Sequence, residues 1–168
     1  MIRNILIGCI LLLPCFVGAV ENVEGYGMSR WGMNLEQTIL SEQGRAHAVL
    51  QPTQFGAYLG LAETNYIKIG DFYFQAIYQF QAGALRQVLL RAVQNFGQNI
   101  NEVTLEGTEA LLTRKYGKPN ARNSKNSAVW YLQGTTIEIT YLIDNDPTTP
   151  VNIRYFPSSE TKLSIDNL

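Results

Sequence analysis

The fold of this chain is decided by residues 72–81, FYFQAIYQFQ. Successive side chains of a β-strand point to opposite faces of a sheet. One face of this segment would therefore carry aromatic residues and alanine, and the other mainly glutamine, with one tyrosine and one isoleucine. This two-residue period predicts a strand with one strongly aromatic face. Gly70-Asp71 and Ala82-Gly83 supply turn signals at its two ends.

Six further strands are predicted outward from this segment, at residues 46–51, 65–69, 85–93, 128–132, 136–143 and 151–156. Two helices separate them. The first follows Trp31, with Asn34 as its N-cap and Gln37 in the capping-box position. The second spans residues 101–116, and Gly117 ends it.

The resulting order, α-β-β-β-β-α-β-β-β, predicts an α+β domain in which two helices pack on one face of a curved, mainly antiparallel sheet. We expect a signal peptide at residues 1–19, a lead-in at 20–30, a single domain at 31–157 and a flexible tail at 158–168. Residues 52–63 and 120–127 are expected to be loops.

The N-terminal segment predicts export to the periplasm. Arg3 precedes an apolar run of about a dozen residues, which is shorter than the roughly 20 residues of a transmembrane helix. Small residues follow, and we place cleavage after Ala19. Cys9 and Cys15, the two cysteines of the sequence, both lie in this segment. Membrane association is expected only if the segment is retained or lipidated.

Composition excludes several classes of protein. Of the 168 residues, 16% are charged and 11% aromatic, and the net charge is -1. Disordered chains combine high net charge with few aromatic residues, and nucleic-acid-binding domains usually carry a basic surplus. The composition therefore indicates a globular domain that does not bind nucleic acid, and the length suits one domain.

The sequence offers few residues for catalysis or metal binding. Zinc sites use cysteine and histidine, and His47 is the single histidine. Asp144-Asn145-Asp146 opens like a calcium loop, but the glycine and glutamate required later in that loop are missing. Carboxylates such as Glu63 occur without a spacing that forces two together. We therefore predict no catalytic residue, no metal and no cofactor.

Three motifs resemble those of small exported bacterial proteins of uncharacterised families. They are Trp31-Gly32-Met33 before a short helix, L-x-x-K-Y-G-x-P at residues 112–119, and Trp130 followed by Ile137-x-Ile139. The arrangement is also similar to the helix-plus-sheet modules of periplasmic β-lactamase-inhibitor-like proteins. The resemblance implies a binding or inhibitory scaffold, and it carries over no catalytic residue.

Two segments are candidates for contact with a protein partner. The first is the expected loop at residues 52–63, whose apolar side chains are Phe55, Tyr58, Leu59 and Leu61. The second is a basic patch of five cations, namely Arg114, Lys115, Lys118, Arg122 and Lys125. Two alternatives stay open: the loop could instead be a lid on the sheet, and the cations a capped helix end with a solvated loop.

These features together predict an exported, non-catalytic binding protein. Its expected type is an inhibitor or immunity protein that blocks an envelope-targeting enzyme, with a periplasmic toxin or a cell-wall enzyme as the partner. The alternatives are an envelope-assembly or structural accessory protein, and a carboxylate-dependent cell-wall hydrolase.

Overall fold

The computed structural model describes residues 23–93, 98–141 and 150–160. Within these ranges the chain forms eleven strands, two helices and a helical turn at 158–160. The helices are α1 (Leu35–Ser41) and α2 (Gln98–Tyr116). The strands are β1 (Gly25–Tyr26), β2 (Ser29–Arg30), β3 (Ala46–Phe55), β4 (Tyr58–Thr64), β5 (Ile67–Ile69), β6 (Phe72–Gln81), β7 (Ala84–Ala92), β8 (Ala121–Ser124), β9 (Ser127–Tyr131), β10 (Thr135–Thr140) and β11 (Asn152–Pro157).

Nine of these strands form one sheet in the order β3-β4-β6-β7-β11-β10-β9-β8, and β5 pairs with β6 off this path. All the pairings in the described ranges are antiparallel, including that of β1 with β2, which form a separate two-stranded ribbon. The α+β class expected from the sequence is confirmed at this level.

The register gives this sheet two different faces. We call the face that carries Phe74, Ala76, Tyr78 and Phe80 of β6 the aromatic face, and the opposite one the polar face. The cross-strand partners on the aromatic face are also buried, and they include Leu85, Val88, Leu90, Trp130, Ile137, Ile139, Ile153 and Tyr155. Burial of each such large apolar side chain contributes about 1.5–3 kcal/mol, so this face forms the hydrophobic core.

Both helices contribute apolar side chains to this core. Leu105 and Leu112 of α2 are buried within it, and Leu35 and Ile39 of α1 pack against it. The predicted capping box of α1 is confirmed: the Asn34 side chain accepts from the backbone N–H of Gln37, and the Gln37 side chain accepts from that of Asn34.

The polar face is connected by hydrogen bonds across four neighbouring strands. Gln87 donates to Gln79, and the Arg154 guanidinium donates to Gln87 Oε1 through Nε and Nη2, at 3.1 and 2.9 Å. Arg154 Nη1 also donates to Glu138 Oε2 at 3.0 Å. Polar side chains can therefore be buried on this face because most of their hydrogen bonds are made within the network.

A buried carboxylate fixes the β1–β2 ribbon to α1. Glu42, at the C-terminal end of α1, is 1% exposed. Its Oε1 accepts from the backbone N–H groups of Met28 and Ser29, both at 3.1 Å, and from the Ser29 hydroxyl at 2.8 Å. Its Oε2 pairs with Arg45. These partners replace the water that a carboxylate loses on burial.

The tryptophans of the sequence motifs hold distant segments together. Trp31 Nε1 donates to Thr135 Oγ1 at 2.9 Å, which ties the segment between β2 and α1 to β10. Trp130 Nε1 donates to the Gly117 carbonyl at 2.9 Å, which ties the end of α2 to β9. Gly117 has a φ of 85°, a conformation that favours glycine and ends the helix.

Several expected boundaries are wrong. Residues 52–63 are not a loop but belong to the β3–β4 hairpin, and β8 occupies part of the expected loop at 120–127. Pro52, Gly56 and Gly60 resemble loop punctuation, but pairing with β6 holds β4 extended. α2 begins at Gln98 rather than at residue 101. The order observed in the described ranges is β-β-α-β-β-β-β-β-α-β-β-β-β.

Both ends of the described part of the chain contain secondary structure. The expected lead-in contains the β1–β2 ribbon. The expected flexible tail begins with the helical turn at 158–160, where Ser158 Oγ donates to the Leu132 carbonyl at 3.1 Å. The predictions for the signal peptide, its cleavage site, residues 144–146 and residues 161–168 lie outside the described residues.

Candidate functional site

The β3–β4 hairpin lies at one end of the sheet, because β3 has β4 as its neighbour at the end of the strand order. Its register shifts between Ala48 and Thr53, where β3 contains more residues than the facing part of β4. Such bulges bend a strand and turn side chains away from the sheet. Leu50 lies in this segment and is fully exposed. The hairpin therefore presents an apolar side chain to the surroundings.

A groove of about 610 Å³ lies behind the hairpin, and we call it the hairpin groove. Register places Glu63 beside Ile77, and Gln75 beside Arg91, on the polar face. A Cβ atom on Gly60 would lie 3.0 Å from Ile77 Cγ2 and 3.1 Å from Phe55 Cε2. A side chain at this position would push against the Phe55 ring and Ile77, so glycine favours the close packing of the ring on the sheet. The groove is lined by His47, Phe55, Glu63, Gln75, Ile77 and Arg91, among others.

Its floor and walls combine an apolar surface with two kinds of charge. His47 Nε2 lies 3.7 Å from Glu63 Oε1, and both side chains are partly exposed. Arg91 has its guanidinium carbon 5.9 Å from the centroid of the Phe55 ring. It forms no ion pair with any residue in the described ranges. The Arg91 charge is therefore available to a ligand or a partner.

The hairpin groove is lined by a histidine, a carboxylate, a guanidinium and a hydroxyl group. The His47–Glu63 pair could move a proton, and the hydroxyl that lines the groove is that of Thr53. Activation of a nucleophile requires such a group within hydrogen-bond reach of the base. Among the described residues there is no cluster of three or more metal-binding side chains.

The four apolar residues expected in the loop have different environments. Leu59 is exposed, whereas Leu61 is half-buried and packs against the core. Phe55 and Tyr58 are half-buried. Each of the two alternatives for this segment therefore describes part of it. Leu59 faces outward, as in a contact surface, and Leu61 covers the core, as in a lid.

Tyr58 also connects the hairpin to the segment after β11. Its hydroxyl donates to Glu160 Oε2 at 3.0 Å. Partial burial and this hydrogen bond to Glu160 raise the pKa of Tyr58 above its usual value. Because β4 and β11 are separated by β6 and β7 in the sheet order, this contact links two parts of the sheet that do not pair with each other.

The five cations of the basic patch do not form one continuous set. Arg122 makes a bidentate ion pair with Glu109 of α2, which compensates its charge. Arg114 and Lys115 line a second pocket, next to the β1–β2 ribbon. Lys118 and Lys125 are exposed. Glu109 precedes the basic run in the sequence, so the residues of the run alone could not predict this ion pair.

Sequence reasoning missed Leu50 and Arg91 as surface and groove residues. The signal available for Leu50 was its position in the uncharged run of residues 46–62. For Arg91 no local signal existed, because its place beside Gln75 results from the β6–β7 register.

No family model, no curated protein sequence and no solved structure matches this chain. In the described ranges, no helix is long and apolar enough to cross a membrane. The function is therefore argued from the site itself, since a fold class such as α+β hosts many unrelated functions.

Proposed function

We propose that this protein is an exported periplasmic binding protein of the inhibitor or immunity type, which blocks an envelope-targeting enzyme by contact through the β3–β4 hairpin. The observation that carries the proposal is the hairpin at the end of the sheet, whose residues 46–62 contain no Lys, Arg, Asp or Glu, with Leu50 and Leu59 exposed beside the hairpin groove. Exposed apolar side chains next to a concavity are typical anchors of protein interfaces.

We further infer that both helices pack over the aromatic face of a curved sheet, which leaves the polar face for a partner. Support comes from the apolar side chains of α1 and α2, which contact the core of that face. The polar face keeps charged groups at its surface, among them Arg91 and the partly exposed Arg154. Such groups steer association and set specificity more than they add affinity.

In this proposal the hairpin enters the cleft of the partner enzyme and excludes its substrate. The hydrogen bond of Tyr58 to Glu160 and the packing of Phe55 over Gly60 hold the hairpin in place before binding. A preorganised segment loses less conformational entropy when it binds, so more of the contact energy appears as affinity.

The test begins with capture of the partner from periplasmic extract on the immobilised protein, followed by an activity assay of the captured enzyme. Leu50→Gln and Leu59→Gln should each weaken the complex at least about tenfold, because a hot-spot side chain contributes 2 kcal/mol or more. Leu40→Gln is the matched control, since Leu40 is an exposed leucine of α1 that belongs neither to the hairpin nor to the lining of the hairpin groove.

Equal affinity of the two hairpin variants and the Leu40 control would exclude the hairpin as the contact. A captured enzyme that keeps full activity in the saturated complex would exclude inhibition, and would favour the role of an accessory protein in envelope assembly instead.

The proximity of His47 and Glu63 favours a second candidate function, that of a carboxylate-dependent cell-wall hydrolase. Glycoside hydrolysis commonly uses two carboxylates that flank the bond, whereas the described lining of the hairpin groove contains one acid, Glu63. Turnover of peptidoglycan that disappears in Glu63→Gln would establish the hydrolase. Equal release of fragments by the two proteins would eliminate it.

A further inference from the structure

A second pocket, of about 650 Å³, lies between the β1–β2 ribbon and the C-terminal half of α2. We call it the tyrosine pocket, after Tyr26, Tyr116 and Tyr155 in its lining. It does not share lining residues with the hairpin groove. Its size falls within the usual range for small-molecule sites.

Cations reach this pocket from two separate elements. Arg30 comes from the ribbon, and Arg114 and Lys115 come from α2, against a single acid in the described lining, Glu24. Neither Arg30 nor Arg114 forms an ion pair with a residue in the described ranges. Among the residues that the structure describes, the Arg30 guanidinium donates to two carbonyl oxygens, of Ser29 at 3.1 Å and of Gly27 at 3.5 Å. The two guanidinium groups therefore keep donors for an anion.

The remaining wall is aromatic and apolar. The rings of Tyr26 and Tyr155 are tilted against each other, with centroids 4.9 Å apart. Ile69, Leu111 and Leu112 complete the apolar lining. Burial first, and then the neighbouring Tyr116, raise the pKa of Tyr155 well above its usual value. The Tyr155 phenol thus stays neutral, and the half-buried Tyr26 ring in front of it gives the wall an aromatic surface.

The stability of α2 does not explain why Arg30 lies in the tyrosine pocket. Cations in the last turn of a helix compensate its dipole, which accounts for Arg114 and Lys115. Arg30 belongs to a different element, and Glu42 holds the turn that precedes it by accepting from the backbone of Met28 and Ser29. The ribbon is therefore held in place before binding, and Arg30 lines the same pocket as Arg114 and Lys115 of the helix.

We propose that the tyrosine pocket binds a small molecule that carries an anionic group on a ring. The anionic group lies between Arg30 and Arg114, and the ring lies against Tyr26 and Tyr155. Phosphate and carboxylate share the acceptor geometry that a guanidinium recognises. The pocket is separate from the hairpin groove, so this inference does not depend on the proposed function.

The experiment titrates the purified protein with phenyl phosphate, phenylacetate, inorganic phosphate and phenol, with binding followed by NMR chemical shifts. At least one of the two ring-bearing anions should bind at least about tenfold more tightly than both inorganic phosphate and phenol, because charge and ring contribute together. Phenyl phosphate and phenylacetate distinguish a phosphate from a carboxylate ligand.

The variant Arg30→Gln/Arg114→Gln should weaken that binding at least about tenfold. Lys118→Gln/Lys125→Gln is the matched control, because it removes the same charge from exposed positions outside the pocket lining and should leave binding unchanged. Unfolding curves of all three proteins show whether each variant is folded.

Three results would overturn the proposal. One is the absence of binding by either ring-bearing anion, and another is equal binding of inorganic phosphate. The third is an equal loss in the Lys118/Lys125 control, which would show that diffuse surface charge, rather than the pocket, attracts the anion.

Discussion

The aromatic and polar faces of the nine-stranded sheet are built from alternate residues of the same strands, yet different interactions hold them. On β6, Phe74 and Tyr78 are buried in an apolar core. On the opposite side of that strand, Gln79 is equally buried but lies in a hydrogen-bond network that ends at Arg154 and Glu138. Hydrophobic burial is non-directional, whereas the network depends on geometry.

This difference separates stability from recognition. The aromatic face carries the buried apolar side chains of the core cluster, so most of the folding free energy is expected there. The polar face keeps charged groups near the surface and borders the hairpin groove. Substitutions on the aromatic face should unfold the protein, and substitutions on the polar face should change binding with a smaller loss of stability.

Two neighbouring residues of β9 give the largest expected difference in stability between the aromatic and polar faces. Trp130 is fully buried on the aromatic face, and Tyr131 is exposed on the polar face. Trp130→Ala should destabilise the protein by about 3–5 kcal/mol through loss of buried area and the cavity left behind. Tyr131→Ala should cost about 0.5 kcal/mol or less. Urea denaturation measures both, and similar losses would contradict the division between the faces.

Substitution of the buried carboxylate Glu42, beneath the β1–β2 ribbon, should give the next largest loss of stability. Glu42→Gln removes the charge that pairs with Arg45, and one carboxylate oxygen. Because the Arg45 side chain is about half exposed, the loss comes mainly from weaker hydrogen bonds to the Ser29 and Met28 groups. The substitution should cost about 1–3 kcal/mol, with faster hydrogen exchange at Ser29. Glu36→Gln on exposed α1 surface is the control and should change stability little. A small effect at Glu42 would mean that the ribbon is held by other contacts.

Alkaline pH should weaken the aromatic face in particular. Burial, followed by the nearby charge of Glu42, raises the pKa of Tyr78, and burial raises that of Tyr155. In the unfolded chain a tyrosine ionises near pH 10. Above that pH the folded state binds more protons than the unfolded one, so stability falls by about 1.4 kcal/mol per pH unit for each tyrosine.

Urea titrations between about pH 9 and 11 measure this slope. Tyr78→Phe removes one ionisable group. It should therefore reduce the dependence of the unfolding free energy on pH by about 1.4 kcal/mol per pH unit, the contribution of one tyrosine. An unchanged slope in that variant would assign the alkaline loss to other residues.

The smallest expected effect lies in the polar network. A double-mutant cycle with Arg154→Gln and Glu138→Gln should give a coupling energy of about 0.5–1 kcal/mol, because the Arg154 side chain is 40% exposed and its ion pair is screened by water. The coupling should shrink in high salt. A coupling energy above about 3 kcal/mol would place this pair among buried ion pairs. It would mean that the polar face, like the aromatic face, contributes strongly to stability.

Sequence reasoning succeeded where the signal is local. The alternation in residues 72–81 predicted β6 with its bounds, and Asn34 with Gln37 predicted the start of α1. It failed at the β3–β4 hairpin, because a bulge in β3 and the glycine at position 60 break the two-residue period. Local patterns cannot report such irregularities when a neighbouring strand imposes the extended backbone.

The candidate sites divide in the same way. The uncharged run at residues 46–62 and the cations at 114–125 are visible in the sequence. The ion pair of Arg122 with Glu109 is not visible, nor is the approach of Arg30 to the end of α2.

The class of the fold, the aromatic strand β6 and the capped start of α1 can be read from the amino-acid sequence, because these depend on side chains a few residues apart. The strand order, the two pockets and the burial of Glu42 follow from the tertiary structure. These arise where residues far apart in the chain meet, and their free energy comes from packing and pairing that no short segment contains.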